Sequence, residues 1–428
     1  MPLRKSLLAQ LLLSVSLLGS FGFLGHYRGL YFQEIASLCT LLLFIWLTLS
    51  AGIRKSTSWL IYLPGLGIGL LIILYAYVFS ARTGAPVQPS ILAQRDYVFF
   101  LLAPVIYMLY GRGWRMADFQ RILIFAAVLT IAGFGVAQFT VDLEAWAYSG
   151  DLYKESSVTY DDWRGYRLKG PVYLLLFVVL YAARRTLQAR NLSSFMLRSG
   201  LMALPLILLI INSPRVTIMA TIAALVLFTV FFSRAKYASL LQVAFPVFSV
   251  AAVLALLYFF STFTTAFSSD YSYTTRVDSA ERAWSVLLRY PLLGFGQDSQ
   301  QSISYQEVIG PYFHPLDIGL LGIAFQFGVI GVALYLMFSV WIVVNMLSLW
   351  QRNRGQAEPG QVAFLWAMCI LFLAWLVASP LQANFILAEN IPIVALAWGL
   401  SMIHKHGTAS RFPLTERSAG HPRPVTAT

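Results

Sequence analysis

The stretch Gly310-Pro311-Tyr312-Phe313-His314-Pro315-Leu316-Asp317 puts one of only five histidines at the border between a long polar segment and a long apolar one. A residue before proline avoids the helical region and proline suits the first helical turn, so the spacing predicts that His314 caps a helix starting at Pro315. Asp317 then falls in the first turn, where a carboxylate complements the helix dipole. The positive end of a helix favours a neutral imidazole over an imidazolium, and a neutral imidazole can accept a proton. Two readings follow for His314: a general base, or an interfacial residue satisfied by a carbonyl. His26, in a short hairpin beside Arg28, reads as a loop residue, and His404, His406 and His421 fall at the C-terminal end.

The arginines near this border suggest anion chemistry. In Asn212-Ser213-Pro214-Arg215, Ser213 has the character of an N-cap and Pro214 of a first helical residue, which places Arg215 in the first turn of an apolar helix. A cation there opposes the dipole at a cost of about 0.3–1 kcal/mol. Helix N–H groups and a guanidinium fork together suit a phosphate; the competing reading is snorkelling to lipid headgroups. Further on, Asp278 and Glu281 have the spacing of a capping box, which predicts a short helix running to Tyr290 and stopping at Pro291. Arg276 would precede the cap, with Arg282 and Arg289 seven apart on one face. For these last two, substrate binding and a solvated or headgroup-facing surface stand side by side. The adjacent pair Asp161-Asp162 could hold a divalent cation, but neighbouring acids in a polar loop are more often solvated. The chain has no glycine-rich phosphate loop, nucleotide-binding signature or Cys/His metal spacing, so nothing supports ATP-driven chemistry, and neither a metal nor a cofactor is expected.

The elements that must position these groups follow from composition. Of 428 residues, 58% are hydrophobic and only 11% charged, too few for a soluble surface on a fold this size. The apolar runs have the length a bilayer-crossing helix needs and lack the alternation of a membrane barrel. The expected fold class is all-α: a polytopic membrane protein with about twelve transmembrane helices. The approximate spans are 6–24, 31–52, 58–80, 93–110, 118–139, 169–183, 199–213, 215–233, 239–261, 328–350, 361–380 and 388–404. The first is read as a helix rather than a cleaved leader, because no small-residue cleavage site follows it. Cys39 and Cys369 lie inside apolar runs and read as packed thiols.

With the N-terminus inside, one set of loops carries most of the 30 Lys and Arg residues, among them Arg4, Lys5, Arg54, Lys55, Arg112, Arg115, Arg184 and Arg185. The positive-inside rule therefore puts both termini in the cytoplasm, and the net charge of +12 reads as a topology signal with no nucleic acid partner. Residues 1–404 form the transmembrane domain, and two long outer loops, 140–168 and 262–327, are expected to fold over the outer face. The polar tail 405–428 reads as disordered.

Three pieces of the chain, "SPRVTIMA" at 213–220, "RVDSAERAWSVLLRYPLLGFG" at 276–296 and "HPLDIGLLGIAFQFGVIG" at 314–331, resemble the O-antigen ligase and polymerase superfamily of bacterial inner-membrane proteins. They match its Ser-Arg helix opening, its arginine ahead of an amphipathic helix ending in Pro-Leu-Leu-Gly-x-Gly, and its His-Asn-x-x-Leu run, although Pro315 stands where asparagine is usual. The resemblance implies a GT-C-like, metal-independent, inverting glycosyltransferase, an O-antigen ligase. It would move a glycan from undecaprenyl pyrophosphate to a hydroxyl of lipid A-core on the periplasmic face, working as a monomer among membrane lipids. Arg215 and Arg276 would clamp the pyrophosphate, with Arg282 and Arg289 as further substrate-binding candidates. His314 would be the base, and Glu389 would orient it or bind sugar. The alternatives are an O-antigen polymerase, a secondary transporter, for which no internal repeat is visible, and a non-catalytic assembly partner.

Overall fold

A computed structural model of the protein describes residues 7–22, 32–50, 63–150, 158–161, 165–189, 191–212, 215–228, 271–298, 305–311, 313–355, 357–387 and 390–406. They are almost entirely helical, and the one sheet among them is a hairpin pairing Val158–Asp161 with Gly165–Leu168. Five described helices are long and apolar enough to cross a membrane: Phe32–Ser50, Met116–Thr140, Leu192–Asn212, Gly319–Asn353 and Pro359–Ala378. Leu7–Ser20, Gly69–Thr83, Val216–Leu227 and Ile391–Ile403 are shorter apolar helices. The expected span 239–261 and the tail 407–428 lie outside the described residues.

Burial sorts the helices into centre and rim. The central one is Pro359–Ala378, with 83% of its apolar window buried against 12% for Leu192–Asn212. A helix that is apolar all round belongs in the middle of a bundle, and this one packs on Val172–Leu187, Arg215–Leu227 and Gly319–Asn353. The expected span 93–110 is not one helix. Arg95–Leu101 is a tight 3-10 turn, and regular helix begins only at Leu102. The charged residues at its start are satisfied locally: Arg95 pairs with Glu34 at 3.2 Å, and Gln33 donates to Asp96 at 2.5 Å.

Another departure from the expected layout shapes the rest. The helix expected over 328–350 starts nine residues earlier, at Gly319, and is interrupted at Gly328, whose φ of 67° and ψ of −172° are not helical. An interruption strands backbone carbonyls on one side and N–H groups on the other, and these must be paired in an apolar setting. The Pro291–Gly296 segment pairs them. Phe295 N donates to Phe325 O at 2.5 Å and Gly296 N to Gln326 O at 2.9 Å, while Val329 N donates to Pro291 O at 2.8 Å. The hydroxyl of Tyr75, from the helix Leu63–Thr83, donates to Phe327 O at 3.0 Å.

Around this junction sits a second apolar core, separate from the bundle core, built from Phe79, Ala85, Ala283, Phe295, Tyr305, Phe313, Ile318 and Phe325. It fastens the helix Tyr271–Arg289 and the loop after it to the end of the bundle. Gly328 is irreplaceable on two counts, since a Cβ there would lie 2.0 Å from Leu292 O in a backbone conformation that L side chains rarely adopt. Gly328→Ala is therefore expected to cost about 2 kcal/mol or more, lowering the melting temperature of the detergent-purified protein by several degrees. Gly355→Ala, where an added Cβ meets open space, should melt with the parent. Equal melting of both variants would refute the role given to the break.

Candidate active site

His314 does cap a turn at Pro315, with extended backbone (φ −127°, ψ 101°), but the turn is a 3-10 helix of four residues, Pro315–Ile318. Gly319, at φ 54°, ends it before the long helix starts. Among the described residues no long helix points its N-terminus at the ring, so the helix dipole expected from the sequence is replaced by a four-residue turn. The imidazole is held from the side instead: the amide of Gln306 lies 3.1 Å from its Nε2. His314 is exposed, while Phe313 beside it is buried against Tyr305 and Phe325. The histidine thus stands on a rigid apolar footing and faces outward.

The helix carrying the arginines also differs from expectation. It runs Tyr271–Arg289, so Arg276 and Asp278 lie inside it and Asp278 caps nothing. Asp278 instead pairs one turn ahead with Arg282, at 2.6 Å. The early start reflects the pattern of the face: Arg276, Ala280, Ala283 and Leu287 follow one another at helical spacing, with Ala283 and Leu287 buried. This face packs on the turn Pro315–Ile318 and on Gly319–Asn353. Arg276 continues the same face and is exposed. Arg282 reaches toward the histidine's own loop, donating to Ile309 O at 3.4 Å and lying where a Cβ on Gly310 would have to go. Arg289 is exposed at the far end of the helix, roughly 20 Å along the axis from Arg276. Arg282 thus reaches the loop that carries His314, while Arg276 lies six residues before it and Arg289 seven residues after it on the same helix.

Arg215 opens the helix Arg215–Leu227. One turn on, Thr217 Oγ1 donates to the Tyr173 hydroxyl at 3.4 Å, and that hydroxyl donates to Gln382 Oε1 at 2.6 Å. The Gln382 backbone N lies 2.7 Å from where a Cβ on Gly319 would sit. These contacts put the start of the Arg215 helix and the end of the His314 turn at one end of the bundle. On the same end, Arg167 donates to Asn212 O at 3.2 Å, joining the hairpin to the residue that closes Leu192–Asn212. Glu389 and Asp162 lie outside the described residues.

Sequence reasoning missed the polar residues that set this frame: Gln306, Tyr173, Gln382, and the pair Asp298 and Tyr305. The Asp298 carboxylate accepts from the Tyr305 backbone N at 2.9 Å, and the Tyr305 hydroxyl accepts from Asp298 N at 3.1 Å and donates to Gly296 O at 2.5 Å. The clasp fixes the short helix Tyr305–Val308, which carries Gln306. Burial pushes the Asp298 carboxyl up to about 6, opposed by the Tyr305 backbone hydrogen bond, and raises the Tyr305 phenol well above its usual value. A carboxyl raised in the folded state contributes stability that is complete below its unfolded value of 3.8 and is lost as pH rises through about 6. A shift of this size amounts to about 3 kcal/mol. The melting temperature is thus expected to fall between pH 4 and 7 in the parent, and to fall less in Asp298→Asn; a parent curve flat over that range would contradict the clasp.

Residues 200–336 match a family model described as O-antigen ligase. The matched stretch holds Arg215, Arg276, Arg282, Arg289 and His314, and it ends just past the break at Gly328. No curated protein matches the chain. The match supports a role within the O-antigen ligase and polymerase superfamily, whose members are glycosyltransferase-like enzymes working on lipid-linked substrates at membranes. The likeness to the O-antigen ligase family is thus carried by residues 200–336, about a third of the chain.

Proposed function

We propose that the protein is an O-antigen ligase of the bacterial inner membrane, with both termini in the cytoplasm and its site on the periplasmic face. It transfers a glycan from undecaprenyl pyrophosphate to a sugar hydroxyl of lipid A-core, with inversion and without a metal. The observation that supports this reading is the packing of the helix bearing Arg276 and Arg282 on the turn that His314 caps, with Arg282 donating to Ile309 O, all within the matched stretch.

His314 removes the proton from the acceptor hydroxyl as its oxygen bonds to the anomeric carbon, and the bond from that carbon to the phosphate oxygen breaks on the opposite side. The lipid diphosphate departs with the negative charge that Arg215 and Arg276 stabilise, with Arg282 assisting; fixed guanidinium groups supply charge complementarity that a metal supplies elsewhere. Arg289, remote along the helix, takes no part. Glu389 is kept as a candidate for orienting the histidine or binding sugar. The linked acceptor chemistry of a polymerase would use the same groups, with a second lipid-linked repeat in place of lipid A-core.

The test is transfer by the purified protein from an undecaprenyl-pyrophosphate-linked glycan, with and without lipid A-core. His314→Ala is expected to lower the rate about 10²–10⁴-fold, the usual contribution of a general base. Arg215→Ala and Arg276→Ala should fall comparably, Arg289→Ala should stay near the parent, and a chelator should have no effect. Chain lengthening without transfer to the core would turn the assignment to the polymerase, full activity in His314→Ala would end the role of base given to the histidine, and a parent protein without transfer would end the enzymatic account.

A further inference from the structure

Among the described residues, the helix Tyr271–Arg289 has a second apolar side that is largely exposed. Its packed side runs through Ala280, Ala283 and Leu287, and its charged side through Asp278, Arg282 and Arg289. Between the two, in the C-terminal half, Trp284 is 55% exposed and Leu288 66%, and Leu292 just beyond the helix is 65% exposed. Three large apolar side chains, each more than half exposed and one turn apart, form a stripe rather than scattered surface residues.

This stripe adjoins the exposed side of a helix apolar enough to cross a membrane. Pro291 O accepts from Val329 N, and the Leu292 carbonyl packs against Gly328. Leu292 is thus pinned beside the first residues of the stretch after the break, where Val329 and Ile330 are 56% and 45% exposed on a helix apolar enough to cross a membrane. The neighbouring residue, Tyr290, carries the guanidinium of Arg82 over its ring at 4.0 Å, at the end of another apolar helix, Leu63–Thr83. Tyr77, just over one turn below Arg82, is 59% exposed. Tryptophan, tyrosine and arginine bordering an aliphatic surface is the composition that settles at a membrane–water boundary.

We infer that the C-terminal half of the helix Tyr271–Arg289 lies in the boundary of the bilayer at the site end of the bundle. Trp284, Leu288 and Leu292 enter the upper acyl region, and Arg289 and Arg82 lie level with lipid phosphates. On the reading of the site as a lipid-diphosphate transferase, this seating holds Arg276 and Arg282 at the height at which a lipid-borne diphosphate already travels, so the donor need not leave the bilayer to reach them.

The placement is tested on the full chain in nanodiscs of phosphatidylethanolamine and phosphatidylglycerol. A single cysteine is placed at 278, 307, 288 or 292 in a Cys39→Ala, Cys369→Ala background and labelled with an environment-sensitive fluorophore. Labels at 288 and 292 are expected to emit to the blue and to be quenched several-fold more by doxyl groups high on the acyl chain than those at 278, on the charged side of the helix, and 307, which iodide in the buffer should quench instead. Equal iodide quenching at all four positions overturns the inference. So does a blue shift at 288 and 292 without doxyl quenching but with crosslinking between copies, which would mean that a second chain covers the stripe. Quenching does not depend on turnover, so loss of the enzymatic reading through a parent protein without transfer would leave this result standing, and the reverse holds as well.

Discussion

The arrangement of the whole site end rests on how the interruption at Gly328 is satisfied. Three carbonyls and an N–H left open by the break are closed by Phe295, Gly296, Tyr75 and Pro291, so a loop from an earlier part of the chain completes a later helix. In an apolar surrounding such groups cannot fall back on water, and leaving one open costs several kcal/mol. The constraint works in both directions. The break needs the Pro291–Gly296 segment, and that segment has no other way to enter the bundle with its backbone paired.

The helix with Arg276 and Arg282 and the loop with His314 are both suspended from this junction. The helix Tyr271–Arg289 leads straight into Pro291, which fixes its end, and Ala283 and Leu287 fix its rotation. Downstream, Asp298 and Tyr305 hold the short helix with Gln306, and Phe313 locks into the same aromatic cluster beside Phe325. Arg276, Arg282 and His314 therefore belong to one rigid unit, while Arg215 stands on a helix of its own at the same end of the bundle. On the proposed function, groups already in place need no reorganisation during reaction.

Much of the fold was legible in the sequence because a bilayer imposes a simple rule: long apolar runs must be helices. The runs around Phe32–Ser50, Met116–Thr140 and Pro359–Ala378 needed only length and composition. The cap at His314 was also visible, since proline restricts its own backbone and that of the residue before it. What could not be read were features decided by contacts between distant segments. Asp278 and Glu281 mimic a capping box by local spacing, but the helix runs through them because Ala280 and Ala283 have a face to bury. The break at Gly328 depends on donors more than thirty residues away, and a glycine within an apolar run carries no such information by itself. Gln306, Tyr173 and Gln382 carry no periodic or motif signal, and their importance comes from their partners in space.

The order in which these partners are synthesised has a consequence for biogenesis. Tyr75, Phe295 and Gly296 all leave the ribosome before the carbonyls that they satisfy, and Pro291 before the N–H that it accepts from. The site end can close only after Val329 has been made, however early the first helices enter the membrane. Until then the arginine-bearing segment lacks the pairing of Pro291 with Val329 that fixes its end. A nascent chain arrested short of that residue would hold every charged group assigned to the diphosphate and still lack the frame that aligns them.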